Sequence, residues 1–231
     1  IFDTQDGLPR SLRTRCGCPG PARRLSFFGA TNDRDLIVGG AWEGAGFVAK
    51  VSFIQAHQNN DFSQAAWRKL PYSLKSPATN PTRVPPLIDL AFCETRQFDW
   101  PAVVTVHEGT DAALVWSGLH QALAPKILKP PGDCGPVSAV AISVCGNYCV
   151  VGLESGALHR FNLQSQLHRG PIPQEREKIE PGRKAAKAAA KVALKAHRGR
   201  VCGVAITAGG QVVSAASHPS DCSLRLWGLM T

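Results

Sequence analysis

The chain predicts an all-β fold, a partial β-propeller of three to four blades. Three observations predict it. Gly135 to Arg169 reads as consecutive short strands with turn residues between them. The same rhythm recurs along the chain, with Trp116, Phe161 and Trp227 each closing an apolar run. Hydrophobic residues make up 44% of the chain, and no run approaches the ~18 consecutive apolar residues of a membrane-spanning helix, so a globular fold is expected.

Residues 1–23 read as a loop or the remnant of a preceding blade, and because the first residue is Ile1 rather than Met an upstream segment is expected. Cys16 and Cys18 suggest a metal pair, but no second Cys pair or His cluster stands at ligand spacing, so they read as loop thiols. Residues 1–20 carry no apolar signal-peptide core, and the eight Cys are therefore expected as thiols in an intracellular setting. Residues 24–55 form a partial blade: the strand RLSFFGA, a turn at Asn32-Asp33, the strand DLIVGGA and a strand from Val48 to Ile54. Gly39, Gly40, Gly44 and Gly46 suit hairpin turns; a phosphate-cradling loop needs a Lys-Ser/Thr pair or a helix start that is missing here. Residues 56–86, rich in Pro, Asn, Gln and Ser, read as an insertion loop.

Residues 87–119 resume the pattern with LIDLAF, then AVVTVH, the turn Glu108-Gly109-Thr110, and AALVW. Asp99-Trp100 stands before its strand and is expected to pack the turn against the blade. Residues 135–168 are the clearest blade. Val137, Val140 and Ile142 supply one apolar run, Cys145-Gly146-Asn147 a turn, Tyr148 to Val151 a second run, and Ala157 to Leu163 a third after Ser155-Gly156. Gly and Asn tolerate the left-handed backbone that tight hairpins require.

Residues 197–228 repeat that blade: Val201, Val204 and Ile206 stand where Val137, Val140 and Ile142 stood. Trp116 precedes Phe161 by 45 residues, within the roughly 40–45-residue period of WD-type blades. Trp227 lies 66 residues beyond Phe161, and removing about 25 residues of the intervening insertion restores a period of about 40. His197 opens this last copy, Ser214 and Ser217 follow the Gly209-Gly210 turn, and Asp221 precedes Trp227, matching the His, Ser, Asp and Trp of a WD repeat. His197, Ser217, Asp221 and Trp227 are therefore expected to form a buried polar relay with a structural role. The pattern is degenerate in the other copies, where Phe161 replaces Trp and Ser155 replaces Asp.

Residues 169–196 are a basic Ala/Lys-rich insertion. Its leading prolines exclude a helix there, whereas Arg183 to Ala196 has the strongest helix-forming composition in the chain. Glu177 and Glu180 before it and Lys195 near its end suit the helix dipole. Lys184, Lys187, Lys191 and Lys195 fall on one helical stripe, and with Arg198 they are the candidate contact to RNA or an acidic partner. Net charge is +9, from 26 basic and 17 acidic side chains, with two clusters at 10–24 and 183–200 that contain no acid; this favours a polyanionic neighbour.

The segment RQFDWPAVVTVHEG, then VSAVAISVCGNYCVVGLESGALHRFNLQSQLHRG, resembles the WD-repeat subunit of the UTP-B complex of the small-subunit processome. Arg96, Asp99, Trp100, His107, Gly146, Asn147, Gly152, Gly156, Asn162, Gln164, Ser165, His168, Arg169 and Gly170 carry the match, which is firm across 87–170 and 197–228. The resemblance implies part of the family's second propeller, in a protein with another propeller upstream and a helical C-terminal domain. It implies a non-enzymatic scaffold in ribosome biogenesis, active in pre-rRNA processing and small-subunit assembly. Its partners would be other WD-repeat subunits of that complex, pre-rRNA and a small nucleolar ribonucleoprotein, in the nucleus and nucleolus, with no membrane and no cofactor. The residues independently point away from catalysis: no Ser-His-Asp set, paired carboxylates or metal cluster stands out, and His107 and His168 have no nearby nucleophile. A WD-type peptide-binding module unconnected with ribosomes is the alternative.

Overall fold

A computed structural model describes residues 2–3, 10–11, 18–28, 35–52, 60–63, 84–132, 134–173 and 195–229. The expected turn at Asn32-Asp33, Cys16 and the lysines Lys184, Lys187 and Lys191 lie outside them. Every regular element among the described residues is a strand. A two-residue pair, β1 (Phe2–Asp3) with β2 (Arg10–Ser11), comes first.

Four antiparallel sheets follow, each a blade whose strands run in sequence order from inside to outside. Blade I holds β3 (Ala22–Phe28), β4 (Asp35–Trp42), β5 (Ala45–Ser52) and β6 (Asn60–Asp61). Blade II holds β7 (Leu87–Phe92), β8 (Val103–His107), β9 (Leu114–Ser117) and β10 (Ala122–Leu123). Blade III holds β11 (Val137–Ile142), β12 (Tyr148–Leu153), β13 (Leu158–Asn162) and β14 (Leu167–Ile172). Blade IV has three described strands, β15 (Val201–Ile206), β16 (Gln211–Ala216) and β17 (Leu224–Gly228). The described residues thus form four blades of a partial propeller. The outer strands extend past the sequence-based blade limits: β6 lies in the stretch read as insertion, β10 beyond residue 119, and β14 beyond residue 168.

Alternation within each blade points one face at the preceding blade and the other at the next. Between blades I and II, Ile37 and Val48 meet Leu87, Leu114 and Trp116. Between II and III, Val104 and Val106 meet Val140, Val151 and Phe161. Between III and IV, Ala139, Val150 and Leu158 meet Val201 and Val212. Full burial of one such Leu is worth roughly 1.5–3 kcal/mol, so these three interfaces hold the arc together. The inner strands approach closely: a Cβ on Gly39 would lie 2.7 Å from Leu87, and one on Gly152 would lie 2.6 Å from Val201.

Polar contacts fix the stacking. The amides of Gly46, Val137 and His197 reach carbonyls of Val84, Thr110 and Gly156 across the three junctions, at 2.6, 2.8 and 2.9 Å. Asp89 joins three blades, accepting from Arg24 Nε and from the Val140 amide, each at 3.0 Å. Trp100, from the turn after β7, donates its indole N–H to the Gly146 carbonyl of blade III at 3.1 Å, with Arg96 stacked over its ring. The turn therefore clamps blade II to blade III.

Candidate functional site

The conspicuous polar groups fall into four places: two buried relays, a histidine pair, and a charged mouth at the start of the inner strands.

In blade IV, His197 is held just ahead of β15, and β16 and β17 carry Ser214 and Trp227 into the same buried pocket. Ser214 Oγ lies 2.7 Å from His197 Nε2 and accepts the Trp227 indole N–H at 2.8 Å. Which of Ser214 Oγ and His197 Nε2 donates across this contact follows from the imidazole tautomer, and the nearby Asp221 carboxylate favours the proton on Nδ1. Burial holds His197 below the usual histidine range; the Asp221 carboxylate opposes this and Arg225 adds to it. Asp221 Oδ2 stands 3.5 Å from His197 Nδ1, too long for a strong hydrogen bond. The carboxylate instead accepts from the Arg198 amide at 2.7 Å, from Ser223 Oγ at 2.5 Å and from Arg225 at 3.2 Å. Those bonds, Ser223 first and the Arg198 amide second, hold its pKa down at about 2.

The hydroxyl of this relay is that of Ser214, which corrects the assignment to Ser217. Only alternate residues of β16 point toward blade III, and Ser214 shares that face with Val212 and Ala216. Ser217 lies beyond the strand, exposed, with its amide bonded to the Arg200 carbonyl.

Blade II contains a second relay that sequence reading missed. Thr105 Oγ1 accepts the Trp116 indole N–H at 2.7 Å and lies 2.9 Å from His107 Nε2. His107 Nδ1 donates to the Pro85 carbonyl at 2.6 Å, so Nε2 is bare and receives the threonine hydrogen. All three side chains are fully buried. Burial pushes the His107 pKa down to about 4 against the opposing Pro85 bond, so the ring is neutral. The signal was available: Thr105 precedes Trp116 at nearly the spacing by which Ser214 precedes Trp227. It was masked because this His ends β8 rather than opening the blade.

In blade III, where Phe161 replaces the tryptophan, His159 Nδ1 and His168 Nε2 lie 2.9 Å apart and His168 meets the Phe161 ring edge-on. Burial first, and then the neighbouring His168, lower the His159 pKa to about 4. No nucleophile or carboxylate is bonded to either ring, and among the described residues no three His, Cys, Asp or Glu side chains converge as a metal site would require. The arrangement joins β13 to β14.

A cavity of about 440 Å³ opens where the four blades converge, lined by Arg23, Arg24, Ile88, Glu108, Glu154 and Arg200. Its charges face one another: Arg24 pairs with Asp89 at 3.0 Å, while Arg23–Glu108 and Arg200–Glu154 are looser at 3.7 Å each. Of the candidate cationic residues, Lys195 and Arg198 are exposed on the segment leading into β15, beside Arg200 on the cavity rim.

No family model matches the chain. WD repeat-containing protein 36 of Homo sapiens is 26% identical to it over 231 residues, which is 98% of this chain and 23% of that protein. The U3 small nucleolar RNA-associated protein 21 homolog of Schizosaccharomyces pombe is 28% identical over 73% of the chain and 18% of its own length. U3 small nucleolar RNA-associated protein 21 of Saccharomyces cerevisiae is 25% identical over 70% of the chain and 17% of its own length. The chain is a WD-repeat homologue of these proteins. It spans about a fifth of their length. As a WD-repeat chain it keeps the His–Ser–Trp relay in blade IV and a Thr-based counterpart in blade II, while blade III relies on Phe161 and apolar packing.

Proposed function

We propose that this chain is a non-catalytic scaffold in ribosome biogenesis, supporting pre-rRNA processing and small-subunit assembly within the small-subunit processome in the nucleolus. The observation that carries the reading is the similarity to two proteins named for association with U3 small nucleolar RNA, over 73% and 70% of the chain. The internal geometry agrees with it, because His107, His197 and Asp221 are engaged in holding strands rather than aimed at a cleft. Other WD-repeat subunits of the UTP-B complex are the proposed protein partners. Lys195 and Arg198, with Lys184, Lys187 and Lys191 preceding them in sequence, are the proposed contact to RNA phosphate or an acidic partner surface.

The test is to express the tagged chain in cells, crosslink it to RNA with ultraviolet light, and sequence what is recovered. Enrichment of pre-rRNA and U3 small nucleolar RNA over an untagged control is expected; an RNA profile matching the control sinks the reading. The charged cavity supports a second reading, a peptide-binding module, since its loosely paired arginines and glutamates can exchange partners with a charged peptide. Titration with a peptide library, using Arg23→Ala and Arg200→Ala as controls, separates the two.

A further inference from the structure

The turn that lays Trp100 against blade III also brings two thiols to one peptide unit. Cys93 follows β7, and Cys145 stands in the turn between β11 and β12. The Cys93 thiol donates at 3.3 Å to the Val144 carbonyl, which belongs to the peptide bond entering Cys145. A Cβ placed on Gly146, the residue after Cys145, would lie 3.3 Å from the same sulfur, so the missing side chain leaves that approach open. A planar trans peptide holds a carbonyl oxygen about 3 Å from the next Cα, which puts the Cys93 sulfur about 6 Å or less from the Cys145 Cα.

The two sulfurs have opposite surroundings. Cys93, like Cys134, Cys202 and Cys222, donates its S–H to a backbone carbonyl, a contact that only the protonated thiol makes. Burial raises the pKa of Cys18 and Cys149. Cys145 is exposed, and Ser143 Oγ lies 3.2 Å from its sulfur. Burial works to raise its pKa too, but the Ser143 hydroxyl, the Asn147 and Cys145 amides and the Arg96 charge outweigh it and hold the thiol below its usual range. The thiolate is the nucleophilic form of cysteine, so of this pair Cys145 is the one that attacks first.

We propose that Cys145 and Cys93 are a peroxide-reactive dithiol site that staples blade II to blade III. The Cys145 thiolate attacks one oxygen of hydrogen peroxide; the O–O bond breaks, hydroxide leaves, and Cys145 becomes a sulfenic acid. The Cys93 sulfur then attacks the sulfenic sulfur, the S–O bond breaks, and the leaving hydroxide carries the Cys93 proton away as water. Peroxide gains two electrons and the two thiols lose two; a dithiol reductant reverses the bridge. Bridging draws the two Cβ atoms to about 4 Å, and the turn around Val144, itself 59% exposed, takes up the shift. The bond locks a junction that Trp100 and Thr95 already hold through the Gly146 and Val144 carbonyls, at 3.1 and 3.0 Å.

The experiment treats the purified, fully reduced chain with hydrogen peroxide, blocks the remaining thiols, and sequences disulfide-linked peptides by mass spectrometry, beside Cys93→Ser and Cys145→Ser. A link between Cys93 and Cys145 is expected in the wild type, with a thermal midpoint about 5 °C or more above that of the reduced chain and reversed by dithiothreitol. Cys93→Ser should instead accumulate a Cys145 sulfenic acid, trapped by dimedone several-fold faster than Cys202 or Cys222, which are also exposed. Equal midpoints of the three reduced proteins show that neither serine disturbs the fold. A wild type that forms no such link, or links through other cysteines, overturns the proposal whatever the variants do. So does dimedone labelling of Cys202 or Cys222 as fast as that of Cys145, which would make exposure alone the source of reactivity.

Discussion

Replacing Thr105 by Val tests the blade II relay with little change of shape. The side chain keeps its volume and branching and loses only the hydroxyl that joins Trp116 and His107. Both partners are fully buried, so neither the indole N–H nor the imidazole Nε2 can turn to water. Leaving a buried polar group unmade costs about 1–3 kcal/mol, and two such groups cost about 2–6 kcal/mol. The methyl that replaces the hydroxyl returns about 1 kcal/mol of apolar burial, which leaves a net loss of about 1–5 kcal/mol. In a chain of this size each kcal/mol moves the thermal midpoint by about 2–4 °C, so a loss near 3 kcal/mol lowers it by about 6–12 °C. Thermal and urea unfolding of the wild type, Thr105→Val, Trp116→Phe and the double variant form a cycle. Trp116→Phe should cost clearly less in the Thr105→Val background, where its N–H is already orphaned, than in the wild type. A midpoint within about 1 °C of wild type for Thr105→Val, or additive costs around the cycle, refutes the bridging role.

Acid should destabilise the fold through its neutral histidines. The His107 pKa falls from 6.5 to about 4 on folding, so the unfolded chain takes up protons first and stability drops as pH falls from about 6.5 toward 4. That difference corresponds to roughly 3 kcal/mol, and His107→Gln should flatten the pH dependence of urea midpoints over this window; an unchanged slope argues against it. Gly152→Ala should destabilise the chain by about 1–3 kcal/mol, because the new methyl would lie 2.6 Å from Val201, while Gly203→Ala, facing open space, should be neutral or slightly stabilising; equal melts for the two would contradict the packing described. Exchanging Lys184, Lys187, Lys191 and Lys195 for Gln should abolish a steep salt dependence of RNA binding. For four phosphates on single-stranded RNA the slope of log K against log salt is about −0.7 per contact, roughly −3 in all, and a variant that keeps the wild-type slope makes the stripe a solvated face.

The sequence by itself was enough for the fold class, because strands buried on both faces write themselves as apolar runs bounded by turn residues. Val137 to Ile142 and Val201 to Ile206 are such runs, and each became an inner strand. Outer strands were hard to read for the converse reason. Asn60–Asp61, Ala122–Leu123 and Leu167–Ile172 are short or largely solvent-facing, with few apolar residues to mark a period, and they took shape only through pairing with the strand inside them. Residue types for the blade IV relay were legible in the spacing of His197, Asp221 and Trp227. Which serine joined them was not, since Ser214 and Ser217 differ only in which side of β16 each faces and where the strand ends. The blade II relay and the burial of individual strand residues needed more still. A hydroxyl, an imidazole and an indole brought within 3 Å depend on how β8 pairs with β9, and Leu158 buried while Leu224 is exposed depends on which blade stands next to which; both relations exist only in three dimensions.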